Sequence, residues 1–271
     1  MKLKLIRIIL VGLLILSALR LLSQKQTWTS EVGMEFLLIR PGSMLVGKFQ
    51  PTVGKPEQGV PREMYKKAVQ MAKEAEMPGF TVKVKKPYYI AKFEVTQEQW
   101  TKVMGNNPSV FKNDTSKNHP VENVTWSDAQ KFIKKLNEMD RIHVYRLPTE
   151  FEWEYTARAG AQDDIAWKEI RASAVLSGTT PSGVGTKKPN AWGVYDMLGN
   201  VWEWVQDYYN EKIFADPVPL RSGKEHVLKG SSFTGDVKNA TYMTHAAGPG
   251  NGFDIGFRVV REVRPIKNKK Y

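Results

Sequence analysis

The sequence predicts an α+β fold, organised as a single irregular, loop-rich domain with few helices and many short strands. Helix starts carry capping boxes, and the strand-like stretches are short and bounded by Gly or Pro. Strands and helices do not alternate in the rhythm of βαβ units. A length of 271 residues supports one large domain or two small ones, with a substantial core.

The first predicted strands lie within Gly33–Phe49, where the turn Arg40–Ser43 separates two apolar stretches. A Pro- and Gly-rich link follows. A charged helix is then predicted near Arg62–Glu76, and its apolar positions keep the spacing of a surface helix. Residues 80–95 return to strand-like alternation.

Three helix starts show Ser or Thr followed three residues later by Glu or Gln, namely Thr96…Gln99, Ser127…Gln130 and Thr149…Glu152. Beyond residue 160 regular structure thins out, and Ala172–Asn190 is predicted to be an irregular loop. Val227–Arg261 is predicted to form short strands flanking a Gly-rich loop. The count expected is two or three helices.

Residues 1–24 are predicted to be a signal peptide or an N-terminal membrane anchor. Basic residues precede an apolar run of about a dozen residues, Ile8–Leu19, which suits a signal-peptide core better than a full membrane span. A buried first helix is the alternative. We expect an exported protein of the periplasm or cell envelope, attached to the membrane if the segment is not cleaved.

Composition narrows the function classes. The chain has no cysteine, which excludes disulfides, thiolate metal sites and cysteine nucleophiles. The net charge of +12 is spread out, and residues 265–271 form a basic tail. Such charge could touch an anionic polymer or membrane headgroups, but a solvated surface is the simpler interpretation. No nucleic-acid-binding motif accompanies it, so no nucleic-acid partner is expected.

Five motifs occur in an order that resembles the formylglycine-generating enzyme family, also called the sulfatase-modifying factor family. They span Glu94–Ser109, His119–Phe132, Arg146–Gly160, Gly193–Trp204 and Gly256–Arg261. The resemblance implies a single C-type-lectin-like domain, here assigned to residues 30–264. Relative to that pattern, residues from about 53 to 79 form a helical insertion.

The resemblance also implies a structural calcium ion beside the turn in "GVYDMLGNVWEW". The ligands carried over are the side chains of Asp196 and Glu203 and the backbone carbonyls of Gly199 and Val201. Calcium prefers such hard oxygen ligands. A buried Glu203 needs a balancing charge, and the alternative to calcium is a pair with an arginine such as Arg158 or Arg258.

Sulfatase-activating members of the family bind copper through two cysteines that follow an Arg-Gly-Gly-Ser-Trp-like strand. The corresponding positions here fall near Gly235 and Ala240, after "LKGSSF". These residues cannot supply the thiolates that bind Cu(I). Copper is therefore not expected, and formylglycine generation by the known route is excluded.

The segment that carries catalysis in those relatives holds a candidate cleft formed by Ser232, Asp236, Tyr242 and His245. Two hypotheses remain, and the sequence does not decide whether the protein is an enzyme. The first is a binding or accessory protein that presents the loop Thr234–Asp254 to an envelope protein, a peptide or a glycan. The second is a divergent oxidoreductase of the pyoverdine-tailoring kind, which works without the cysteine pair.

Overall fold

A computed structural model describes residues 26–49, 53–56, 58–113, 115–215, 217–248 and 250–263. The predicted leader (residues 1–24) and basic tail (residues 265–271) lie outside these ranges. In the described ranges, no helix is both long enough and apolar enough to cross a membrane. Helices mixed with many short strands confirm the predicted α+β class.

The described residues contain five α-helices, more than the two or three expected. They are α1 (Arg62–Glu74), α2 (Gln97–Met104), α3 (Trp126–Met139), α4 (Glu150–Arg158) and α5 (Trp167–Ser173). Two short 3₁₀ helices add Ser116–Asn118 and Val237–Asn239. Helix α5 extends into the stretch predicted as a loop. Its N-terminus has no capping side chain, so the sequence contained no capping signal from which to predict the helix.

The capping boxes at Thr96 and Thr149 are confirmed, because each hydroxyl accepts from the backbone N–H three residues on. The box expected at Ser127…Gln130 is wrong by two residues. Helix α3 is capped by Thr125, whose hydroxyl accepts from the Asp128 N–H while the Asp128 carboxylate accepts from the Thr125 N–H. Aspartate thus replaces the Glu or Gln of the usual pattern.

Eleven strands form three sheets in the described part. They are β1 (Thr27–Thr29), β2 (Glu35–Ile39), β3 (Gly42–Phe49), β4 (Met77–Val84), β5 (Tyr88–Ala91), β6 (Tyr145–Arg146), β7 (Trp202–Tyr208), β8 (His226–Lys229), β9 (His245–Ala247), β10 (Ile255–Phe257) and β11 (Val260–Glu262). The sheet orders are β1-β2-β5-β11-β6, β10-β7-β8-β9 and β3-β4. All pairs are antiparallel except β10 with β7, which run parallel.

Two apolar clusters form the core. One packs α2 and α3 against the first sheet and includes Trp204. The other surrounds Trp153 of α4 and reaches the loop that precedes β7. Strand β7 therefore runs between the clusters, with Trp204 facing one of them and Glu203 facing the indole of Trp153. This placement buries the turn before β7.

The predicted insertion lies at the far end of the β3–β4 hairpin. These strands pair from Gly42 with Val84 up to Phe49 with Met77, and α1 connects their outer ends. Helix α1 lies at the position predicted for the charged surface helix.

Candidate functional site

The turn before β7 is held in a conformation that few residues adopt. Asp196, Gly199 and Asn200 all have positive φ, at 52°, 75° and 58°. A Cβ at Gly199 would collide with the Val175 carbonyl, so only glycine fits there. The Asn200 N–H donates to that same carbonyl at 2.9 Å. The turn is thus fixed by backbone contacts, and its side chains are presented rigidly.

Glu203 follows this turn and is paired with Arg258, the arginine alternative considered above. Arg258 Nε and Nη2 donate to the two carboxylate oxygens at 2.6 and 2.5 Å, and Trp153 Nε1 donates at 2.8 Å. The remaining guanidinium contacts are to the carbonyls of Ala91, Tyr195 and Asp196. Two bonds from one guanidinium to one carboxylate make this a charge-assisted, bidentate pair. Both charged side chains are fully buried.

Two further buried carboxylates lie beside that pair. Asp196 Oδ2 accepts from the Gly185 N–H at 2.6 Å, while Asp196 Oδ1 has no hydrogen-bond partner in the described structure. Neither carboxylate oxygen of Glu94 has such a partner either, although Glu94 is only 1% exposed. We call Glu94, Asp196, Glu203 and Arg258 the turn cluster. It contains three carboxylates and one guanidinium.

Burial raises the pKa values of Asp196 and Glu94. It raises the pKa of Asp196 to about 6, because a carboxylate loses its hydration there. Burial, followed by the charge of Asp196, raises the pKa of Glu94 well above its usual range. The unsatisfied oxygens and the excess of negative charge fit a hard cation such as calcium. Since no three described Asp, Glu or His side chains converge as a metal-binding group, backbone carbonyls would have to complete the ligand set.

The positions that correspond to the copper cysteines are Gly235, which is partly buried, and Ala240. A Cβ at Gly235 would collide with the Ser231 hydroxyl, and Ala240 is completely buried. A cysteine at position 235 would therefore require the Ser231 hydroxyl to move aside.

The four residues of the candidate cleft each have different partners. Ser232 donates to Asp254 Oδ2 at 2.7 Å, and Asp236 caps a 3₁₀ helix by accepting from the Lys238 N–H. Tyr242 lies under the Arg158 guanidinium, at 5.4 Å from ring centroid to Cζ. The imidazole of His245 contacts a carboxylate that the sequence analysis did not single out. The geometry therefore divides the cleft into separate local contacts.

His245 ends a buried chain of alternating charges. Its Nδ1 lies 3.1 Å from Glu150 Oε1, and Lys229 Nζ lies 3.8 Å from the same oxygen. Lys229 Nζ is also 3.3 Å from Glu154, whose other oxygen is 2.7 Å from Arg158 Nη2. We call these five residues the lysine network. A signal existed in the sequence: Glu150 and Glu154 are four residues apart, so they share one face of α4.

Aromatic rings enclose this network. Lys229 Nζ lies 5.5 Å from the Trp153 ring and 5.7 Å from the Phe214 ring, within cation–π range. The rings of Tyr209 and Phe214 lie 5.1 and 4.9 Å from the imidazole of His245. An imidazole oriented by a carboxylate can transfer protons, which is the arrangement of a general base.

A cavity of about 410 Å³ lies between the two sets of predicted residues. It is lined by the end of α4, by α5 and by the segment 188–198. Tyr242 of the candidate cleft and Asp196 of the turn both line it. The walls are mostly small apolar side chains, and a volume of this size suits a small ligand.

Comparisons of the sequence with known proteins agree on one family. Residues 24–263 match the sulfatase-modifying factor enzyme 1-like domain family. The chain is 33% identical to the chaperone protein LppX of Paenibacillus barcinonensis, over 64% of this chain and 80% of that protein. It is 32% identical to the formylglycine-generating enzyme of Mus musculus, over 43% of this chain, and spans only 36% of that enzyme.

Among solved structures, the chain resembles PvdO from Pseudomonas aeruginosa, with a TM-score of 0.71 and 23% identity. The likeness covers 89% of this chain and all of PvdO. At this identity it establishes the shared fold.

Proposed function

Because this chain belongs to the sulfatase-modifying factor family, we propose that it is a calcium-braced binding domain of an exported accessory protein. It holds a partner and does not oxidise a sulfatase cysteine. The observation that carries the proposal is the absence of cysteine, both at Gly235 and Ala240 and in the rest of the chain. The scaffold around them is intact, so the domain keeps its capacity to present loops.

An accessory role is supported by the relative named a chaperone protein, since this chain covers 80% of it. The formylglycine-generating relatives are matched over less than half of their length, so their activity does not transfer with the fold. A direct test uses a sulfatase peptide that contains the target cysteine, incubated with the full chain and Cu(I). The peptide is expected to keep its thiol, and aldehyde formation would overturn the proposal.

Calcium would be held by Asp196 and by the carbonyls of Gly199 and Val201, with Glu203 completing the set. When bound, the ion supplies the positive charge that the turn cluster lacks. Asp196 Oδ1 is the oxygen available to coordinate the ion, because it is buried and has no hydrogen-bond partner in the described structure. Glu203 already accepts from Arg258, so its role is to orient the turn as well as to add charge.

The binding surface is the loop Thr234–Asp254, and the partner is a peptide segment of an envelope protein. Ser232 and Thr234 both hydrogen-bond to Asp254 Oδ2, which ties the two ends of the loop together. Phe253 remains 49% exposed beside them, as an aromatic residue that a peptide can cover. A rigid base with an exposed aromatic tip suits peptide capture.

Peptide capture is tested with the full chain on an array of envelope-protein peptides and, in parallel, on a glycan array. Binding to a defined set of peptides is expected, and Phe253→Ser is expected to reduce it at least tenfold. The matched control is Ile142→Ser, which alters a 73% exposed apolar residue elsewhere. Binding to glycans alone, or equal loss in both variants, would reject the peptide surface.

A cysteine-independent oxidoreductase is the second candidate, and the contact between His245 and Glu150 favours it. That pair could move a proton during substrate oxidation. Elemental analysis of the full chain, purified without added metals or chelators, separates the two functions. Calcium near one per chain with no iron or copper supports the binding protein, and stoichiometric iron or copper supports the oxidoreductase.

A further inference from the structure

We propose that the cavity between α4 and α5 binds a small, uncharged and largely apolar molecule that carries a carbonyl oxygen. The volume of about 410 Å³ lies within the range of small-ligand pockets. Phe253, the exposed residue of the proposed peptide surface, does not line the cavity, although Tyr242 of the same loop does. This site therefore goes beyond the proposed capture of a peptide.

Small side chains create the space in this cavity. Its lining includes five alanines, which are Ala157, Ala159, Ala161, Ala172 and Ala191. The first two are buried and the other three are exposed, so the cavity runs from the surface down to the end of α4. Larger apolar side chains at these positions would fill the space. The alanines keep it open.

Hydrogen bonds fix the walls of the cavity in place. The Asn190 amide N–H donates to the Thr156 carbonyl at 2.7 Å, which ties the segment 188–194 to α4. The Asn190 amide oxygen accepts from two backbone N–H groups of the same segment. The Lys188 N–H donates to the Ala172 carbonyl at 3.4 Å, which joins the segment to α5. The cavity is thus formed before any ligand enters, and this lowers the entropic cost of binding.

The walls of the cavity select an apolar ligand. Besides the alanines, the lining includes Ile165, Met197 and Leu198. Wall atoms that face an open space lack the dispersion contacts of a packed interior. Because the walls are tied to one another, they cannot close the gap by moving together. A ligand with an apolar body restores the missing contacts and removes apolar surface from water.

Tyr242 supplies a hydrogen-bond donor to the cavity. Its polar contacts with other described residues hold its backbone and its ring: Asp164 Oδ1 accepts from its N–H at 3.1 Å, and the Arg158 guanidinium lies 5.4 Å from the ring centroid. Burial raises the pKa of Tyr242, so the phenol keeps its proton at neutral pH. Its hydroxyl enters none of the hydrogen bonds between described residues and is left to donate to a ligand oxygen.

The charges around the cavity favour an uncharged ligand. The Arg158 guanidinium is neutralised by Glu154, with 2.7 Å between Nη2 and Oε1. Glu169 and Lys188, which are exposed at the mouth, carry opposite charges. Asp196 offers no reachable charge, because its Oδ2 accepts from a backbone N–H and its Oδ1 is buried. A carboxylate or an ammonium group would therefore enter without a counter-charge, which costs free energy in an apolar site.

The test uses a dimethylaminonaphthalene methyl ketone, a neutral fluorophore whose emission shifts to the blue in apolar surroundings. Two compounds with the same rings are titrated beside it into the full chain: the parent dimethylaminonaphthalene, which lacks the carbonyl, and the corresponding carboxylate. Ala172→Phe fills the mouth of the cavity, and Ala75→Phe at the exposed end of α1 is its matched control. Tyr242→Phe removes only the hydroxyl, and Tyr65→Phe on α1 is its control. Urea unfolding of each variant establishes that the fold is retained.

We expect the ketone to bind the full chain with a blue shift, and Ala172→Phe to weaken its binding about tenfold because the space is filled. The carboxylate should bind about tenfold more weakly than the ketone. Tyr242→Phe should weaken the ketone about fivefold, through the loss of one hydrogen bond, and should leave the parent compound unchanged. Both control variants and Phe253→Ser should bind the ketone as the unaltered chain does.

Four results would overturn the proposal. The first is no blue shift, or the same binding in a folded Ala172→Phe variant as in the unaltered chain. The second is tighter binding of the carboxylate than of the ketone, which would make the ligand an anion. The third is an equal loss of the ketone and the parent compound in Tyr242→Phe, which would exclude the hydroxyl as the donor. The fourth is a loss in Phe253→Ser, which would place the fluorophore on the peptide surface.

Discussion

The turn cluster and the lysine network are both buried groups of charged residues, but they balance charge differently. The lysine network alternates Arg158, Glu154, Lys229 and Glu150, so its two fixed cations match its two carboxylates. The turn cluster has three carboxylates for a single guanidinium, and it leaves three carboxylate oxygens without hydrogen bonds in the described structure. The first is complete as folded. The second has the composition of a site that takes up a cation or a proton.

The largest expected effect is the loss of Arg258. Arg258→Met leaves three buried carboxylates without a compensating positive charge. We therefore expect the chain to lose its cooperative unfolding transition in urea. Lys229→Met should cost less, about 3–5 kcal/mol in the free energy of unfolding, because Arg158 still faces Glu154.

Adding Glu203→Gln to Arg258→Met removes one of the stranded charges, and part of the stability should return. If Lys229→Met proves more damaging than Arg258→Met, the contrast between the two clusters is wrong.

Calcium should act on the turn cluster alone. At a free calcium concentration of about 100 times the dissociation constant, the free energy of unfolding should rise by about 2.7 kcal/mol. Asp196→Asn should abolish this gain, since it removes the carboxylate with an open oxygen. Denaturant titrations with calcium and with chelator measure both values.

The control for calcium is Asp236→Asn, which alters an exposed aspartate that caps a 3₁₀ helix. This variant should keep the full response, because asparagine also caps well. A calcium response that survives Asp196→Asn would locate the ion elsewhere.

Stability should depend on pH at the border of the lysine network, through Asp207. Burial, followed by the charge of Glu150, raises the pKa of Asp207 from 3.8 to about 6. Between these values the folded chain keeps a proton that the unfolded chain has lost. The contribution is therefore fully present below about pH 4 and is lost as pH rises through 6, by about 2–3 kcal/mol. Urea unfolding at pH 4 to 7 measures it.

Asp207→Asn should reduce this decline by the share of Asp207, because the amide oxygen still accepts from the Glu150 N–H but no longer titrates. Asp196 and Glu94, whose pKa values are also raised by burial, should keep their own shares. Asp128→Asn is a suitable comparison, since hydrogen bonds from Thr125 and Lys131 give Asp128 a lowered pKa. An unchanged slope in Asp207→Asn would assign the decline to another group.

The smallest expected effect is at the imidazole end of the lysine network, where the His245 side chain is 12% exposed. His245→Gln should cost about 1 kcal/mol or less, because Glu150 keeps its backbone position and its approach to Lys229. Thermal and urea unfolding would measure the change against His119→Gln. A loss above 3 kcal/mol would mean that the network depends on the contact between His245 and Glu150.

Local structure could be predicted where the signal is local. The boxes at Thr96 and Thr149 are each complete within four residues, and both start helices as expected. At α3 the box expected at Ser127 is not the one that forms. Thr125 caps the helix instead, because the shorter Asp128 side chain can close the box as well as Glu or Gln. Helix α5 has no capping side chain, so its packing determines it.

The site depended on contacts that no local pattern encodes. Glu203 meets Arg258 across 55 residues, and Lys229 meets Glu154 across 75. The sequence named Arg258 as one of two alternatives for Glu203, since a buried carboxylate requires a positive partner. It could not choose between them without the register of β10 beside β7. The calcium ion remains a prediction from the family resemblance and the open oxygen of Asp196.

The parallel pairing of β10 with β7 has a consequence for biosynthesis. Arg258 follows β10 directly, and β11 then enters the middle of the first sheet between β5 and β6. Residues 255–262 therefore complete both large sheets and neutralise Glu203. A nascent chain that ends before them leaves Glu203 without its arginine and the first sheet without the strand that joins β5 to β6. We therefore expect both sheets to be completed only after synthesis has passed this segment.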